Sequence, residues 1–555
     1  MDNLPTECIW NVFDLINDYK VFLYDKWKYY VIGYKRIKSH QQVYEVNKLP
    51  KNSKILENVC YFLVHNNNIY EPENGTHLLK HKYNNKDINI NKLVNVHTLD
   101  IGECPNIQDI NKLINVHTLT IECCKNIKDI NKLVNVHTLY LYDMNIQDIN
   151  QLVNVHTLKL IAMNIQDINK LVNVHTLKLD SCQNIQDINK LVNIHTLTLS
   201  HMNIQDINKL VNIHTLTLSH MNIQDINKLV NVHTLQIDYC TNIQDINKLV
   251  NVHTLILDDC QNIQDINKLV NVHTLKLWNC PNIQDINKLV NVHTLTLYEC
   301  PNIQDINKLV NVHTLNLYNM NIQYINKLVN VHTLTLECCQ NIQDINNLVN
   351  LHTLYLYNCQ NIQDINKLVN VHTLTLQYCQ NIKDINKLVN VHTLYIDYCP
   401  NIQDINKLVN VHTLSLSNCQ NIQYINKLVN VHTLSLYHMN IQDINQLVNI
   451  HTLYLRNCQN IQDINKLVNV HTLSLWNYIN IQDINKLVNV HTLDIRYCPN
   501  IQDINKLVNV HTLELIDCPN IQDINELVNL KRVDLYGSNK DIDTSKLINA
   551  EIVRH

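Results

Sequence analysis

Apolar residues recur along most of the chain in a short, fixed pattern. In residues 269–288, Val272, Leu275, Leu277 and Cys280 are spaced V-x-x-L-x-L-x-x-C, and most of the residues between them are polar. The alternation of Leu275 and Leu277 with polar neighbours is the period-two pattern of a β-strand that buries one face. Each unit therefore predicts one short strand followed by a polar segment.

The unit is repeated with little change. The triplet His-Thr-Leu occurs twenty-two times at intervals of 19 or 20 residues, and the shorter units carry Met221 or its equivalents where the longer ones carry Cys280. One unit has too few apolar residues to form a core alone, so neighbouring units must stack. We expect a repeat solenoid with a parallel β-sheet on its concave face. Residues 284–291 leave room for little more than one helical turn, so the convex side should be mostly non-helical or short-helical.

The spacing V-x-x-L-x-L-x-x-C-x-N-I, with its shorter form V-x-x-L-x-L-x-x-M-N-I, resembles the conserved segment of leucine-rich repeats. The Cys form is similar to the cysteine-containing class found in F-box proteins. Two departures are the His after Val and a unit length at or below the lower limit of the family. The resemblance implies an α/β-type leucine-rich-repeat solenoid that binds another macromolecule along one face.

The positions at which the repeat starts and stops divide the chain into four segments. Val59, Phe62 and Val64 fit the pattern loosely and predict a degenerate turn before the regular ones. The predicted segments are an F-box-like helical segment at 1–50, a linker with degenerate N-terminal repeats at 51–89, leucine-rich repeats of 19–20 residues at 90–535, and a C-terminal cap at 536–555.

The N-terminal segment lacks the repeat, and its apolar residues Ile9, Val12, Phe13 and Ile16 have helical spacing. It resembles an F-box through Leu4, Pro5, Glu7, Ile9, Phe13 and Trp27. The whole chain is similar to F-box/leucine-rich-repeat proteins, and its Asn-rich units are similar to those of giant-virus (mimivirus-type) members. This implies docking on the Skp-type linker of a cullin ubiquitin ligase. The Leu-Pro to Trp spacing is shorter than usual, and the alternative is a hydrophobic cap for the first repeat.

Variation between units is concentrated at the slots of Lys276, Trp278 and Asn279, whereas the polar outer residues hardly change. The first two slots should point out of the concave face, and the third should lie at its edge. Aromatic residues occupy many of these slots, and we predict that they bind the partner. They are Tyr140, Tyr142, Trp278, Tyr298, Tyr318, Tyr355, Tyr357, Tyr395, Tyr398, Tyr437, Tyr454 and Trp476. The alternative is that strand surfaces tolerate many residues while stacking fixes the outer ones.

Acidic residues outnumber basic ones at the variable slots, which favours a protein partner of basic or mixed charge. The formal charge of -5, from 44 basic and 49 acidic residues, provides no basic stripe for nucleic acid. No apolar run is long enough for a membrane span, and the first residues do not resemble a secretion signal. We therefore expect neither a nucleic-acid nor a membrane partner, and a cytoplasmic location, in a host cell if the chain is viral.

Cysteine and histidine recur once in most units, and both could suggest chemistry. The nineteen cysteines include Cys240, Cys260 and Cys280 at one fixed slot, which indicates small buried thiols and not disulfide pairs. The histidines are expected to form a structural ladder whose imidazoles bond to the next turn. We predict no bound metal and no cofactor.

No motif of a hydrolase, a phosphate-binding loop or a metalloprotease is present, so we expect no enzyme. The predicted function is a substrate-recognition adaptor of an SCF-type ubiquitin ligase, with a protein target on the concave face. The alternative is a stand-alone scaffold or decoy without a connection to ubiquitin.

Overall fold

The computed structural model describes residues 61–64, 94 and 96–555. The described residues fall into two compact units, one that ends at Asn271 and one that begins at Val272. The predicted helical segment at 1–50 lies outside the described residues. In the described part of the chain, no helix is long and apolar enough to cross a bilayer.

Each regular turn contains one strand of five residues in which burial alternates. In Thr274–Trp278 the second and fourth residues, Leu275 and Leu277, are fully buried, and the other three are half-buried. This confirms the strand predicted from the apolar spacing. Leu and Ile at these positions cover one side of the sheet, which forms the core. The other side of the sheet remains accessible to water.

The first unit contains ten described strands, and each pairs in parallel with the next. Equivalent residues lie opposite each other, so that Phe62 pairs with Leu99 and Val64 pairs with Ile101. The strands are β1 (Tyr61–Val64), β2 (Thr98–Gly102), β3 (Thr118–Glu122), β4 (Thr138–Tyr142), β5 (Thr157–Ile161), β6 (Thr176–Asp180), β7 (Thr196–Ser200), β8 (Thr215–Ser219), β9 (Thr234–Asp238) and β10 (Thr254–Asp258).

The second unit is built in the same way, from β11 to β25. Its strands are β11 (Thr274–Trp278), β12 (Thr294–Tyr298), β13 (Thr314–Tyr318), β14 (Thr333–Glu337), β15 (Thr353–Tyr357), β16 (Thr373–Gln377), β17 (Thr393–Asp397), β18 (Thr413–Ser417), β19 (Thr433–Tyr437), β20 (Thr452–Arg456), β21 (Thr472–Trp476), β22 (Thr492–Arg496), β23 (Thr512–Ile516), β24 (Arg532–Tyr536) and β25 (Glu551–Arg554), with a 3-10 turn at Gly537–Asn539.

A left-handed residue follows each regular strand. Asn279, for example, has φ 47°, and its N–H donates to the carbonyl oxygen of Tyr298 on the next strand at 2.9 Å. Six Asn, three Asp and three His are among the twenty-two residues other than glycine with this conformation. These are the types that tolerate positive φ best, so this slot carries a backbone requirement.

The outer side of each turn is not helical. It consists of two successive tight turns, in which the N–H of Leu289 donates to the carbonyl of Ile286 at 3.0 Å and the N–H of Val292 donates to that of Leu289 at 3.1 Å. This confirms the mostly non-helical outer side, which eight residues can form without a helix.

Asparagine side chains tie each outer turn to its neighbours. In Asn307, Nδ2 donates to the carbonyl of Tyr324 at 3.0 Å and Oδ1 accepts the N–H of Lys327 at 3.2 Å, both in the following turn. Asn311 donates back to the carbonyl of Val290 at 2.9 Å. We call the equivalents of Asn307 the outer Asn column. Main-chain groups of the outer turns lack the partners that a helix or strand would give them, and the Asn side chains of this column supply hydrogen bonds instead.

Cysteine or methionine completes the core at the slot after the left-handed residue. Cys280 is fully buried, and its thiol donates to the carbonyl of Trp278 at 3.3 Å. Met320 occupies this slot in a shorter turn and is 2% exposed. Seventeen cysteines in the described residues form no disulfide bond, and all but Cys123 and Cys338 are buried. They are small core residues, as the fixed spacing predicted.

Candidate functional site

The exposed side of the parallel sheet, which we call the strand face, carries the predicted binding residues. None of them is buried. Tyr298 and Tyr454 are 41% and 44% exposed. Eleven of the predicted aromatic residues occupy the third or fifth position of a strand and point away from the core. The third positions are Tyr140, Tyr355, Tyr395 and Tyr454, and the fifth are Tyr142, Trp278, Tyr298, Tyr318, Tyr357, Tyr437 and Trp476.

The twelfth residue, Tyr398, has a different position. It is the left-handed residue after β17, with φ 48°, and its ring stacks on that of Tyr378 with centroids 4.8 Å apart. Tyr378 in turn meets the edge of Tyr357 at 5.4 Å. The sequence did not single out Tyr378, although its slot is that of Asn279. The three rings form one aromatic group in the second unit.

A phenol with its ordinary pKa of about 10 is neutral near pH 7. Partial burial on the strand face raises the pKa of Tyr318 and of Tyr355 further, and the Glu337 carboxylate adds to the effect in both. The hydroxyl of Tyr355 donates to Oε1 of Gln377 at 2.7 Å. Neutral phenols near neutral pH offer both apolar ring surface and a hydrogen-bond donor, which suits contact with a protein surface.

Two acidic residues lie side by side on the strand face of the first unit. Asp238 and Asp258 are opposite each other on β9 and β10. Burial raises the pKa of both, and Asp238 accepts a hydrogen bond from Gln236 at 2.8 Å. Their placement agrees with the predicted excess of acidic over basic residues at the variable slots.

Basic residues on the strand face differ in their surroundings. Arg496 binds Asp494 at 2.7 Å and Glu514 at 3.0 Å, whereas Arg456 lies over the Trp476 ring with its central carbon 3.5 Å from the centroid. From the sequence, both residues are simply basic residues at variable slots of the strand face. That one is paired with carboxylates and the other with an aromatic ring could not be predicted from it.

A histidine precedes each strand from β2 to β23, and within each unit these residues form a stacked column, here called the His column. In the second unit the centroids of successive rings are 5.2 to 5.5 Å apart and the rings are nearly parallel. Nδ1 of His293 is 2.7 Å from the carbonyl oxygen of Asn291. The prediction of a bond to the next turn was therefore wrong for this imidazole. The main chain makes that link, from the N–H of His293 to the carbonyl of His273 at 2.8 Å.

Two nitrogens that ligate one zinc ion lie no more than about 4.2 Å apart, and a zinc site needs three or four protein ligands. In the His column, Nδ1 of His97 and Nδ1 of His117 are 3.2 Å apart, which is a pair and not a set of ligands. No group of three potential metal ligands occurs in the part of the chain that the structure describes.

The outer side has a structural reason to be invariant. The Asn residues and the Asp residues before them are held by hydrogen bonds, for example from the N–H of Asn307 to Oδ1 of Asp305 at 3.0 Å. Asp305 has a lowered pKa chiefly because of this bond. The third variable slot carries the left-handed conformation. The third and fifth strand positions carry neither of these constraints, and they hold most of the predicted aromatic residues.

The F-box-like residues Leu4, Pro5, Glu7, Ile9, Phe13 and Trp27 lie outside the described residues. Their predicted role therefore stays a prediction, as do the segment boundaries drawn at the N-terminus.

No protein-family model matches the chain, and no curated protein sequence matches it. Among solved structures, a leucine-rich-repeat protein of Leptospira interrogans is 19% identical, with 72% of this chain and 96% of that chain covered and a TM-score of 0.38. An internalin of Listeria monocytogenes is 23% identical over 57% of this chain and 83% of that chain, with a TM-score of 0.31.

The leucine-rich-repeat ectodomain of a plant membrane receptor kinase from Arabidopsis thaliana is 14% identical over 82% of each chain, with a TM-score of 0.31. Such low identities and TM-scores assign no partner and no activity to this chain. The repeat pattern and the parallel strands give the fold, which in each unit is a leucine-rich-repeat solenoid.

Proposed function

We propose that the chain is a protein-binding scaffold whose partner lies against the strand face. The observation that supports this most directly is the placement of partly exposed Tyr and Trp side chains at the two outward strand positions. The Tyr and Trp side chains at these positions make no hydrogen bond to the main chain of a neighbouring turn in the described residues. Large aromatic side chains with few rotatable bonds lose little entropy on binding, and they dominate the energy of many protein interfaces.

Charge supports a protein partner over a nucleic acid. The chain carries a formal charge of -5, and acidic residues such as Asp238 and Asp258 lie on the strand face. A surface of this kind repels a phosphate backbone and attracts a partner with basic or mixed charge. The proposed role is binding and not catalysis.

A more specific proposal is a substrate-recognition adaptor of an SCF-type ubiquitin ligase, acting in the cytoplasm. It rests on the F-box-like residues at the N-terminus, such as Leu4 and Pro5, and on the combination of such a segment with leucine-rich repeats. In this proposal the N-terminal segment binds the Skp-type linker, and the strand face holds the protein to be modified.

A photo-crosslinking amino acid on the strand face tests the scaffold proposal. It is placed at Tyr357 on β15 and, as a matched control in the same turn, at exposed Asn347 on the outer side. We expect one protein to be crosslinked from Tyr357 and not from Asn347. Crosslinks from Asn347 alone, or from neither site, would contradict a partner on the strand face.

The adaptor proposal has a separate test, because it concerns the other end of the chain. The full chain is mixed with the Skp-type linker and compared with a Leu4→Ala/Pro5→Ala variant. We expect binding at micromolar concentration that the double substitution removes. If the unmodified chain does not bind, the stand-alone scaffold remains and the connection to ubiquitin is lost.

A further inference from the structure

One group of side chains on the strand face of the second unit combines a guanidinium with aromatic rings. Tyr437, Arg456 and Trp476 are the fifth residues of β19, β20 and β21 and lie side by side in register. Tyr454, the third residue of β20, is on the same face and is 44% exposed. We call these four residues the Arg456 patch.

The rings on both sides fix the position of the Arg456 side chain. Its central carbon is 3.5 Å from the centroid of the Trp476 ring and 4.9 Å from that of Tyr437. Both contacts are cation–π interactions, in which the cation attracts the electron-rich ring face. Because aromatic rings flank the flat guanidinium, its N–H groups are the part left for a hydrogen-bonding ligand.

The charge of Arg456 has no acidic partner among the residues that the structure describes. Its Nε is buried and makes no hydrogen bond. The variable slots of β19 to β21 carry Ser435, Tyr437, His438, Tyr454, Arg456, Asn457, Ser474, Trp476 and Asn477, so no acidic residue occurs among them.

Arg496, two strands away, provides the comparison. Its central carbon is 5.3 Å from the centroid of the same Trp476 ring, but it also binds Asp494 and Glu514. The hydrogen bond with Asp494 is the main reason that the pKa of Arg496 is raised. A guanidinium that is partly withdrawn from water without such a partner is left with unpaired donors, which is costly until a ligand supplies an acceptor.

We propose that the Arg456 patch is a binding site for an Asp or Glu side chain of a partner protein, with Tyr454 packing against the segment that carries it. The inference rests on the proposed scaffold function and adds a specific contact to it. A carboxylate matches the fork of one guanidinium and brings one negative charge to balance one positive charge.

A phosphate group or a nucleic acid fits the patch less well. A phosphate monoester brings about two negative charges, and the patch has one unpaired cation. Asp397 on β17 and the acidic pair Asp494 and Glu514 on β22 and β23 lie within a few strands on the same face. They would repel a polyanion, while a single carboxylate seated between them is balanced by Arg456.

The test uses the full chain and a random peptide library displayed on phage. Selected peptides are synthesised with acetylated and amidated ends, so that their carboxylates come from side chains alone. Affinity is measured by fluorescence anisotropy for the unmodified chain, Arg456→Gln, Arg456→Lys and the control Lys276→Gln, which removes a charge elsewhere on the strand face. Circular dichroism verifies that each variant is folded.

We expect selected peptides to contain Asp or Glu and to bind Arg456→Gln about tenfold or more weakly, since a hydrogen bond to a charged group is lost. Arg456→Lys should restore only part of the affinity, and Lys276→Gln should bind normally. Replacing the acidic residue of the peptide by its amide should give the same loss, and this second change should add little in Arg456→Gln.

The other outcomes separate the two proposals. Peptides that bind the strand face without an acidic residue, and equally well to Arg456→Gln, would overturn the carboxylate site and leave the scaffold function standing. Stronger competition by inorganic phosphate than by acetate would overturn it in favour of a phosphate ligand. A library without any peptide that binds the strand face would count against both proposals.

Discussion

Replacing Asn346 by alanine tests the outer Asn column. Apart from Asn525 in the last regular turn, Asn346 is the most buried member of this column in the described residues. Asn346 is 7% exposed. Its Nδ2 donates to the carbonyl of Asp364 at 3.0 Å, and its Oδ1 accepts the N–H of Lys367 at 3.1 Å. Both partners belong to the following turn. The N–H of Asn346 itself donates to Oδ1 of Asp344 at 2.9 Å, and alanine keeps that bond.

Alanine therefore removes these two hydrogen bonds, together with a longer one from Nδ2 to Oδ2 of Asp364 at 3.4 Å, and leaves one carbonyl and one N–H unpaired. A hydrogen bond contributes about 1 kcal/mol net, and a buried group left without a partner costs about 1–3 kcal/mol. We expect a loss of about 3 kcal/mol in the free energy of local opening, which corresponds to roughly 150-fold faster exchange of the amides it protects.

Native-state hydrogen exchange read by mass spectrometry measures this effect. Because each turn contacts only its neighbours, faster exchange should be confined to peptides near residues 344–370. Peptides from residues 150–190 of the same sample provide an internal reference. Asn347→Ala is the matched control, since Asn347 is exposed and its side chain has no hydrogen bond to the described residues.

The pH dependence gives a second readout. The N–H of Asn366 is the main cause of the lowered pKa of Asp364, and the Asn346 amide contributes. A carboxyl group with a lowered pKa stabilises the fold above its ordinary pKa, and this contribution is lost as the pH falls through the lowered value. The difference between Asn346→Ala and the unmodified chain should therefore shrink in acid. Equal exchange in Asn346→Ala and Asn347→Ala would refute the stabilising role of the outer Asn column.

Two further predictions concern other parts of the fold. Tyr478 occupies the core slot of Cys280 and is fully buried, and its hydroxyl lies beside the side chain and main chain of Cys458 without a hydrogen-bond partner among the described residues. Tyr478→Phe should stabilise the chain by about 1 kcal/mol in urea denaturation; a lower midpoint would contradict this. Gly537 has φ 60°, and an added Cβ would overlap the Asp517 carboxylate. Gly537→Ala should therefore lower the free energy of unfolding by about 1–3 kcal/mol. An unchanged urea midpoint would argue against this strain.

Much of the candidate site follows from the strand pattern. Once Leu275 and Leu277 are assigned to the core, Lys276 and Trp278 must point outward, because successive side chains of a strand alternate. The same rule placed Tyr355 and Tyr357 correctly. It did not apply to Tyr398, which follows its strand and is held in the left-handed conformation. The many Asn, Asp and His residues at that slot were a signal of positive φ in the sequence.

The differences between similar residues were not visible in the sequence. Arg456 and Arg496 are both the fifth residue of their strands, yet only Arg496 is paired with acidic residues. The reason is that their neighbours lie about twenty residues away along the chain and become neighbours only through the parallel register. The hydrogen-bond partner of the His imidazole was also not visible in the sequence. A carbonyl two residues earlier and a group in the next turn were both available, and His293 contacts the former.

The sequence by itself determined the repeat, the buried alternation of each strand and the face on which variable residues lie, because these depend on spacing within one turn and on the removal of apolar groups from water. Only the tertiary structure decided which side chains meet between turns: the aromatic residues that flank Arg456, the asparagines that bridge main-chain groups and the tyrosines that stack. Those contacts depend on the distance and register between neighbouring strands, which no single unit contains.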